Sequence, residues 1–227
     1  MKFLKFKLFQ IMSIKTIERK VLQRNDEVAG DNRRFFKEKG ILSLNLVSSP
    51  GSGKTSLLER TLEKLKGRVK TAVVIGDVQT DLDARRLESS GVPVIQLVTN
   101  GACHLEAPLV RDALADIQPD QTELLFIENV GNLVCPAGFD LGEDMKVVIA
   151  STTEGDDKPL KYPAMFRNAK VLVINKTDLV PYVNCDLIEL RNNALRINPS
   201  LTIFETSCTN GDGLDQWCDW LTKQVRK

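Results

Sequence analysis

LNLVSSPGSGKTSLL, residues 44–58, reads as a buried strand, a tight turn and the start of a helix. The turn is built to hold phosphate. Gly51 and Gly53 let the backbone curl so that its N–H groups converge on an anion, and the following helix adds its positive end. Lys54 supplies a point charge for β- and γ-phosphates, and the Thr55 hydroxyl is a ligand for Mg²⁺. Ser52 and Ser56 complete the residues expected to line the phosphates. The stretch departs from the usual pattern at one position, where Ser48 stands in place of the first glycine.

Outward from this loop, short apolar runs alternate with helical segments. The runs are ILSLNLV (41–47), TAVVIGD (71–77), PVIQLV (93–98), ELLFIENV (123–130), KVVIAST (146–152), KVLVINK (170–176) and LTIFETS (201–207). This alternation predicts an α/β fold: a mainly parallel sheet with helices on both faces, of the P-loop NTPase kind. Such sheets bind ligands at the carboxyl ends of their strands, where the motifs below fall. Residues 40–227 contain no linker or repeat and read as one domain, preceded by an arm and helices over residues 1–39. In residues 13–39, Ile14, Ile17, Val21 and Val28 recur at helical spacing, which predicts one or two helices that either pack on the domain's flank or dock a partner. MKFLKFKLFQIM, residues 1–12, is interrupted by Lys5 and Lys7 and is no signal peptide. It is either a weakly amphipathic arm or sequence upstream of a start at Met12, and the ordinary polar helix sequence from Ser13 favours the second.

Asn175-Lys176-Thr177-Asp178 lies at the end of the sixth run, about 120 residues beyond the phosphate loop. Guanine offers two donors, N1–H and the exocyclic amine, that one carboxylate such as Asp178 can accept, whereas adenine would leave it unpaired. Asn175 can bond the other base edge and nearby backbone, and the Lys176 stem can cover a ring face. Ser207 and Cys208, after the last strand, resemble the element that completes a guanine pocket. Glu128 closes the fourth run and Gly131 follows, the pattern of a Mg²⁺-positioning carboxylate and a γ-phosphate sensor. Asp77, after the second run, is the first candidate to orient the attacking water or hold the Mg²⁺ shell, with Asp81 and Asp83 as competitors. Lys54, Asp77 and Glu128 are thus the expected catalytic set. The polar segment Gly155–Pro159 either meets nucleotide or a second subunit, or is a plain surface loop.

Cys103 and His104, the only histidine, are adjacent, and Cys135 lies seven residues after Glu128. Thiolate and imidazole suit Zn²⁺ or Ni²⁺ rather than Mg²⁺. Read by themselves, these residues are either a metal site or two small thiols and a helix-start histidine. Five scattered cysteines are no disulfide framework and suggest a reducing, cytoplasmic setting. Lys+Arg total 31 against 30 Asp+Glu, which argues against nucleic-acid binding, and no apolar run is long enough to span a membrane.

Taken together, LNLVSSPGSGKTSLL, GDVQTDLDARR, NGACHLEA, FIENVGNLVCP, TEGDDKPLKYP and VINKTDL resemble, in order and context, the HypB family of hydrogenase nickel-incorporation GTPases, over residues 20–225. The resemblance implies a slow SIMIBI-class GTPase that converts GTP to GDP and phosphate and dimerises around nucleotide. It further implies Ni²⁺ or Zn²⁺ at Cys103, His104 and Cys135, and two partners, a HypA-type metallochaperone and the hydrogenase large-subunit precursor. The family's Cys-rich or His-rich N-terminal nickel motifs have no counterpart here, so metal is expected to pass through the GTPase domain. The Cys-Pro-His motif of the rival urease-type nickel GTPases does not occur. A small-molecule kinase on the same scaffold is a more distant rival, which NKTD argues against. A metal-binding module in which nucleotide is only structural is another.

Overall fold

The computed structural model describes residues 2–78 and 82–225, with side chains from Val21 onward except Leu82. Seven strands among the described residues form one sheet: β1 (Leu42–Ser48), β2 (Thr71–Asp77), β3 (Val94–Val98), β4 (Leu124–Glu128), β5 (Met145–Ser151), β6 (Val171–Asn175) and β7 (Thr202–Glu205). Their order is β3-β2-β4-β1-β5-β6-β7, and every pair is parallel. Each strand matches one apolar run of the sequence.

Around the sheet lie α1 (Lys2–Lys39), α2 (Lys54–Leu65), α3 (Leu82–Glu88), α4 (Ala107–Ala113), α5 (Lys158–Lys161), α6 (Pro163–Asn168), α7 (Leu187–Ile197) and α8 (Leu214–Val225). Strand side chains alternate between the two faces. Leu44, Val73, Phe126, Val147 and Val173 pack under α2 and α8, against Leu58, Leu62 and Trp217. On the opposite face two clusters form: Val148, Leu172 and Ile174 under α6 and α7, and Val74, Leu125 and Ile127 under α1 and α4. Burial on both faces explains why the runs are apolar throughout rather than alternating with polar residues.

Between those two clusters runs a polar seam. Asn45 on β1 is fully buried, and its amide donates to Glu143 Oε1 at 3.1 Å. Lys146 on β5 closes the seam with an ion pair to Glu143 at 3.4 Å.

One continuous helix, α1, covers the region where one or two were expected. It packs on the domain's flank; of the residues that suggested it, Val28 is half-buried, and the side chains of Ile14 and Ile17 lie outside the described residues. Val21 is 45% exposed, and the packed face is Asn25, Ala29, Asn32 and Phe36. The asparagines are buried because loops meet them. Asn25 Oδ1 accepts from the Ala107 N–H at 2.9 Å and its amide donates to the Asp140 carbonyl at 2.8 Å. The Asn32 amide donates to the Ala107 and Leu141 carbonyls, both at 3.0 Å.

Removing the buried donor leaves the Leu141 carbonyl without that partner. Asn32→Ala is therefore expected to lower unfolding stability by about 1–3 kcal/mol in chemical denaturation. Asp31→Ala breaks only an exposed ion pair with Arg34 and is expected to stay within about 0.5 kcal/mol.

Candidate functional site

The phosphate loop leaves β1 in the middle of the sheet and enters α2. The helix start has no side-chain cap and no acidic residue in its first turn, so its N–H groups remain available to an anion. Gly53 is required twice over. Its φ is +91°, and a Cβ there would stand 2.6 Å from the Asn175 amide nitrogen. Ser48, the departure from the usual pattern, ends β1 fully buried and accepts a hydrogen bond from Lys54 Nζ at 3.0 Å. The lysine is thus parked on the loop's own hydroxyl.

Adjacent pairing of β4 with β1 brings Glu128 to this loop. Its Oε1 accepts from the Thr55 hydroxyl at 2.8 Å and lies 4.0 Å from Lys54 Nζ, while Oε2 is buried without a partner. Burial pushes the Glu128 carboxyl above its ordinary value, against the opposing pull of Lys54 and the Thr55 hydroxyl. An orphaned buried carboxylate oxygen beside a threonine hydroxyl is an all-oxygen donor set, which fits Mg²⁺. Asp77, Asp83, Ser56 and Gly131 line the same cleft, which has a volume of ≈ 570 Å³. Asp81, the other competitor of Asp77, lies outside the described residues. Asp83 is 3.5 Å from Arg86, the last residue of the GDVQTDLDARR stretch and one to which the sequence analysis assigns no role of its own. Arg86 reaches into the cleft and donates to Ser56 Oγ at 3.1 Å and to Glu59 at 2.7 Å. The one signal that could have found it is its place in the GDVQTDLDARR stretch, since charge alone does not distinguish it from neighbouring Arg85.

The candidate base-recognition residues gather at the ends of β6 and β7. The Asn175 amide donates to the Ser52 carbonyl at 3.0 Å, and its oxygen accepts from Thr206 Oγ1 at 3.3 Å and Cys208 Sγ at 3.5 Å. Asn175 thus makes the expected bond to nearby backbone and ties three loops together. Lys176, with φ of +62°, donates to the Gly51 carbonyl at 2.6 Å. Asp178 accepts from Ser207 Oγ at 2.5 Å, which brings the two motifs together. Lys158, in the segment after β5, donates to Ser49 Oγ at 3.1 Å, so that segment does reach the phosphate loop.

Cys103, His104 and Cys135, 32 residues apart in sequence at the extremes, converge with their ligand atoms all within 4.8 Å of one another. Cys103 Sγ lies 2.6 Å from Cys135 Sγ and 3.6 Å from His104 Nδ1. The thiol–thiol contact, followed by burial, raises the Cys103 pKa, whereas burial lowers that of His104 against the pull of Glu106. A neutral imidazole and two thiols form a soft donor set, and metal binding there releases thiol protons. Cys103 is exposed, so the cluster opens to the surface. Cys185 and Cys218 are buried core thiols.

Residues 42–205 match the CobW/HypB/UreG nucleotide-binding domain. The chain is 50% identical over 208 residues to the hydrogenase maturation factor HypB of Azotobacter vinelandii, covering 92% of this chain and 69% of that one. The chain belongs to the HypB family. Two solved HypB structures share its fold. That of Archaeoglobus fulgidus has a TM-score of 0.85 at 39% identity and covers 90% of this chain and 100% of its own. That of Helicobacter pylori, determined in complex with nickel, has a TM-score of 0.84 at 39% identity and covers 89% and 95%. As a family member, the chain carries a P-loop nucleotide-binding domain whose sheet is all parallel among the described residues.

Because its folded pKa is raised, ionised Glu128 costs the nucleotide-free protein stability as pH rises above the ordinary carboxylate value of 4.5. Glu128→Gln is expected to melt at a higher temperature than the parent at neutral pH. The gain should vanish as pH falls below that value, where both folded and unfolded carboxyls are protonated. A melting difference independent of pH would contradict this.

Proposed function

We propose that this chain is a GTP-hydrolysing nickel metallochaperone, which assists nickel insertion into the precursor of a [NiFe]-hydrogenase large subunit in the cytoplasm. The observation that carries the reading is the segment after β4. It presents Glu128 to the phosphate loop and, seven residues on, Cys135 to the thiol–imidazole cluster. One short stretch of backbone thereby serves both nucleotide and cargo.

Asp178 and Ser207 form the guanine end of the site, and Lys54, Thr55 and Ser56 the phosphate end. On binding, Lys54 leaves Ser48 for the phosphate oxygens, and Asp77 orients the attacking water. Mg²⁺, when bound, neutralises phosphate charge, and Thr55 and Glu128 would hold it, with Asp77 in its shell. Nickel, or zinc in competition, is the cargo at Cys103, His104 and Cys135. Three protein donors leave room for water or for a second copy of the chain, consistent with a homodimer. The HypB named in Azotobacter vinelandii is a hydrogenase maturation factor, which supports the same role here, with a HypA-type metallochaperone as partner. Among the described residues no helix is long and apolar enough to cross a membrane.

The decisive experiment measures nickel and zinc affinity in GDP and in a non-hydrolysable GTP analogue, for the protein and for Cys135→Ala. A difference that disappears in the variant supports nucleotide-gated cargo, whereas tight binding insensitive to nucleotide removes the gating. Asp178→Asn is expected to weaken GTP binding on the order of 10–100-fold, by loss of a charge-assisted hydrogen-bond pair worth about 1.5–3 kcal/mol. Unchanged discrimination between GTP and ATP in that variant would rule out Asp178 as the base reader.

A further inference from the structure

The segment joining Glu128 to Cys135 touches the phosphate loop on one side and the Cys103–Leu105 arm on the other. Toward the loop, Gly131 packs so closely on Pro50 that a Cβ would meet Pro50 Cα at 3.1 Å and its nitrogen at 3.2 Å. No side chain of residue 131 stands between the two backbones, so a movement of Pro50 toward residue 131 displaces it.

Toward the arm, two asparagine side chains make the connection. Asn129 is buried, and its Oδ1 accepts from the N–H of Leu105 at 2.9 Å and of Val130 at 3.0 Å. Its amide donates to Asn45 Oδ1 at 3.2 Å, so it is anchored to the polar seam behind β1. The Asn132 amide donates to the Cys103 carbonyl at 3.3 Å, and its Oδ1 accepts from the Val134 N–H at 2.8 Å. Asn132 therefore staples the segment carrying one cysteine to the segment carrying the other. Separating Asn129 from the arm would leave the buried Leu105 N–H without a partner, a cost that favours concerted movement, while the exposed Asn132 bond adds a second, weaker tie.

We propose that Asn129 and Asn132 are positioning residues that carry the state of the phosphate loop to the cysteines and histidine of the metal cluster. The proposal rests on the reading of nucleotide-gated cargo and names the side chains through which gating runs. Neither asparagine is among the proposed metal ligands or nucleotide contacts. Their effect is on where Cys103 and His104 stand relative to Cys135 when Pro50 and Gly131 move.

The test is the ratio of nickel affinities in saturating non-hydrolysable GTP analogue and in saturating GDP, measured for the protein, Asn132→Ala and Asn129→Ala. Nucleotide affinity and melting temperature of each metal-free protein report folding. A merely structural role would alter those, and nickel affinity in both states alike, without changing the ratio. The parent ratio is expected to depart from unity by about fivefold or more, and to fall below about twofold in the variants. Loss in one variant alone supports the linkage through that asparagine. If burial makes Asn129→Ala fail to fold, the half-buried Asn132→Ala decides. Folded variants that keep the parent ratio overturn the proposal and leave the gating reading intact. A parent ratio of one overturns both.

Discussion

The parallel pairing of β1 with β4, in register from Leu42 and Leu124 to Leu46 and Glu128, is the contact on which the site depends. It inserts a strand distant in sequence directly beside the strand that feeds the phosphate loop. All strands point the same way, so their carboxyl ends share one rim. There Glu128 meets Thr55 and Lys54, and the segment after Glu128 is forced to leave the sheet next to Pro50. A sheet in simple sequential order would put β2 and β3 between β1 and β4 and hold Glu128 away from the loop.

That rim carries two donor sets of opposite character. Around Glu128 the groups are oxygen atoms, buried and hard, suited to phosphate charge and Mg²⁺. Around Cys135 they are sulfur and imidazole nitrogen, open to the surface. Seven residues separate Glu128 and Cys135 in the chain, and the difference in softness keeps the two sites from competing for one ion. Burial acts in the same sense on each. It leaves His104 neutral and able to donate a lone pair, and it leaves Glu128 a carboxylate short of partners.

Local sequence makes the fold and much of the site legible. The seven strands are visible because parallel strands buried on both faces need unbroken apolar runs, and GSGKT is visible because few chemistries ask for that spacing. The buried asparagines are not. Asn25, Asn32, Asn45 and Asn129 look like ordinary polar residues in the sequence, and the helical pattern of α1 shows itself in Val21 and Val28 instead. Polar side chains are buried where loops from elsewhere arrive with unpaired backbone groups, as the Ala107, Leu141 and Leu105 backbones do here. No periodicity encodes that arrival.

The sequence by itself determined the α/β class, the phosphate loop, the guanine-type NKTD motif and membership of the HypB family, because these depend on residue types at fixed local spacings. Residue types alone left the metal cluster as one of two readings, and only the family resemblance implied a metal there. Only the tertiary structure decided that Cys103, His104 and Cys135 meet, that Asn175 binds the phosphate loop's backbone, and that Asn129 and Asn132 lie between the two sites. The physical reason is strand order. Contacts between residues tens of positions apart are set by which strands lie side by side, and that is a property of the packed sheet rather than of any one segment.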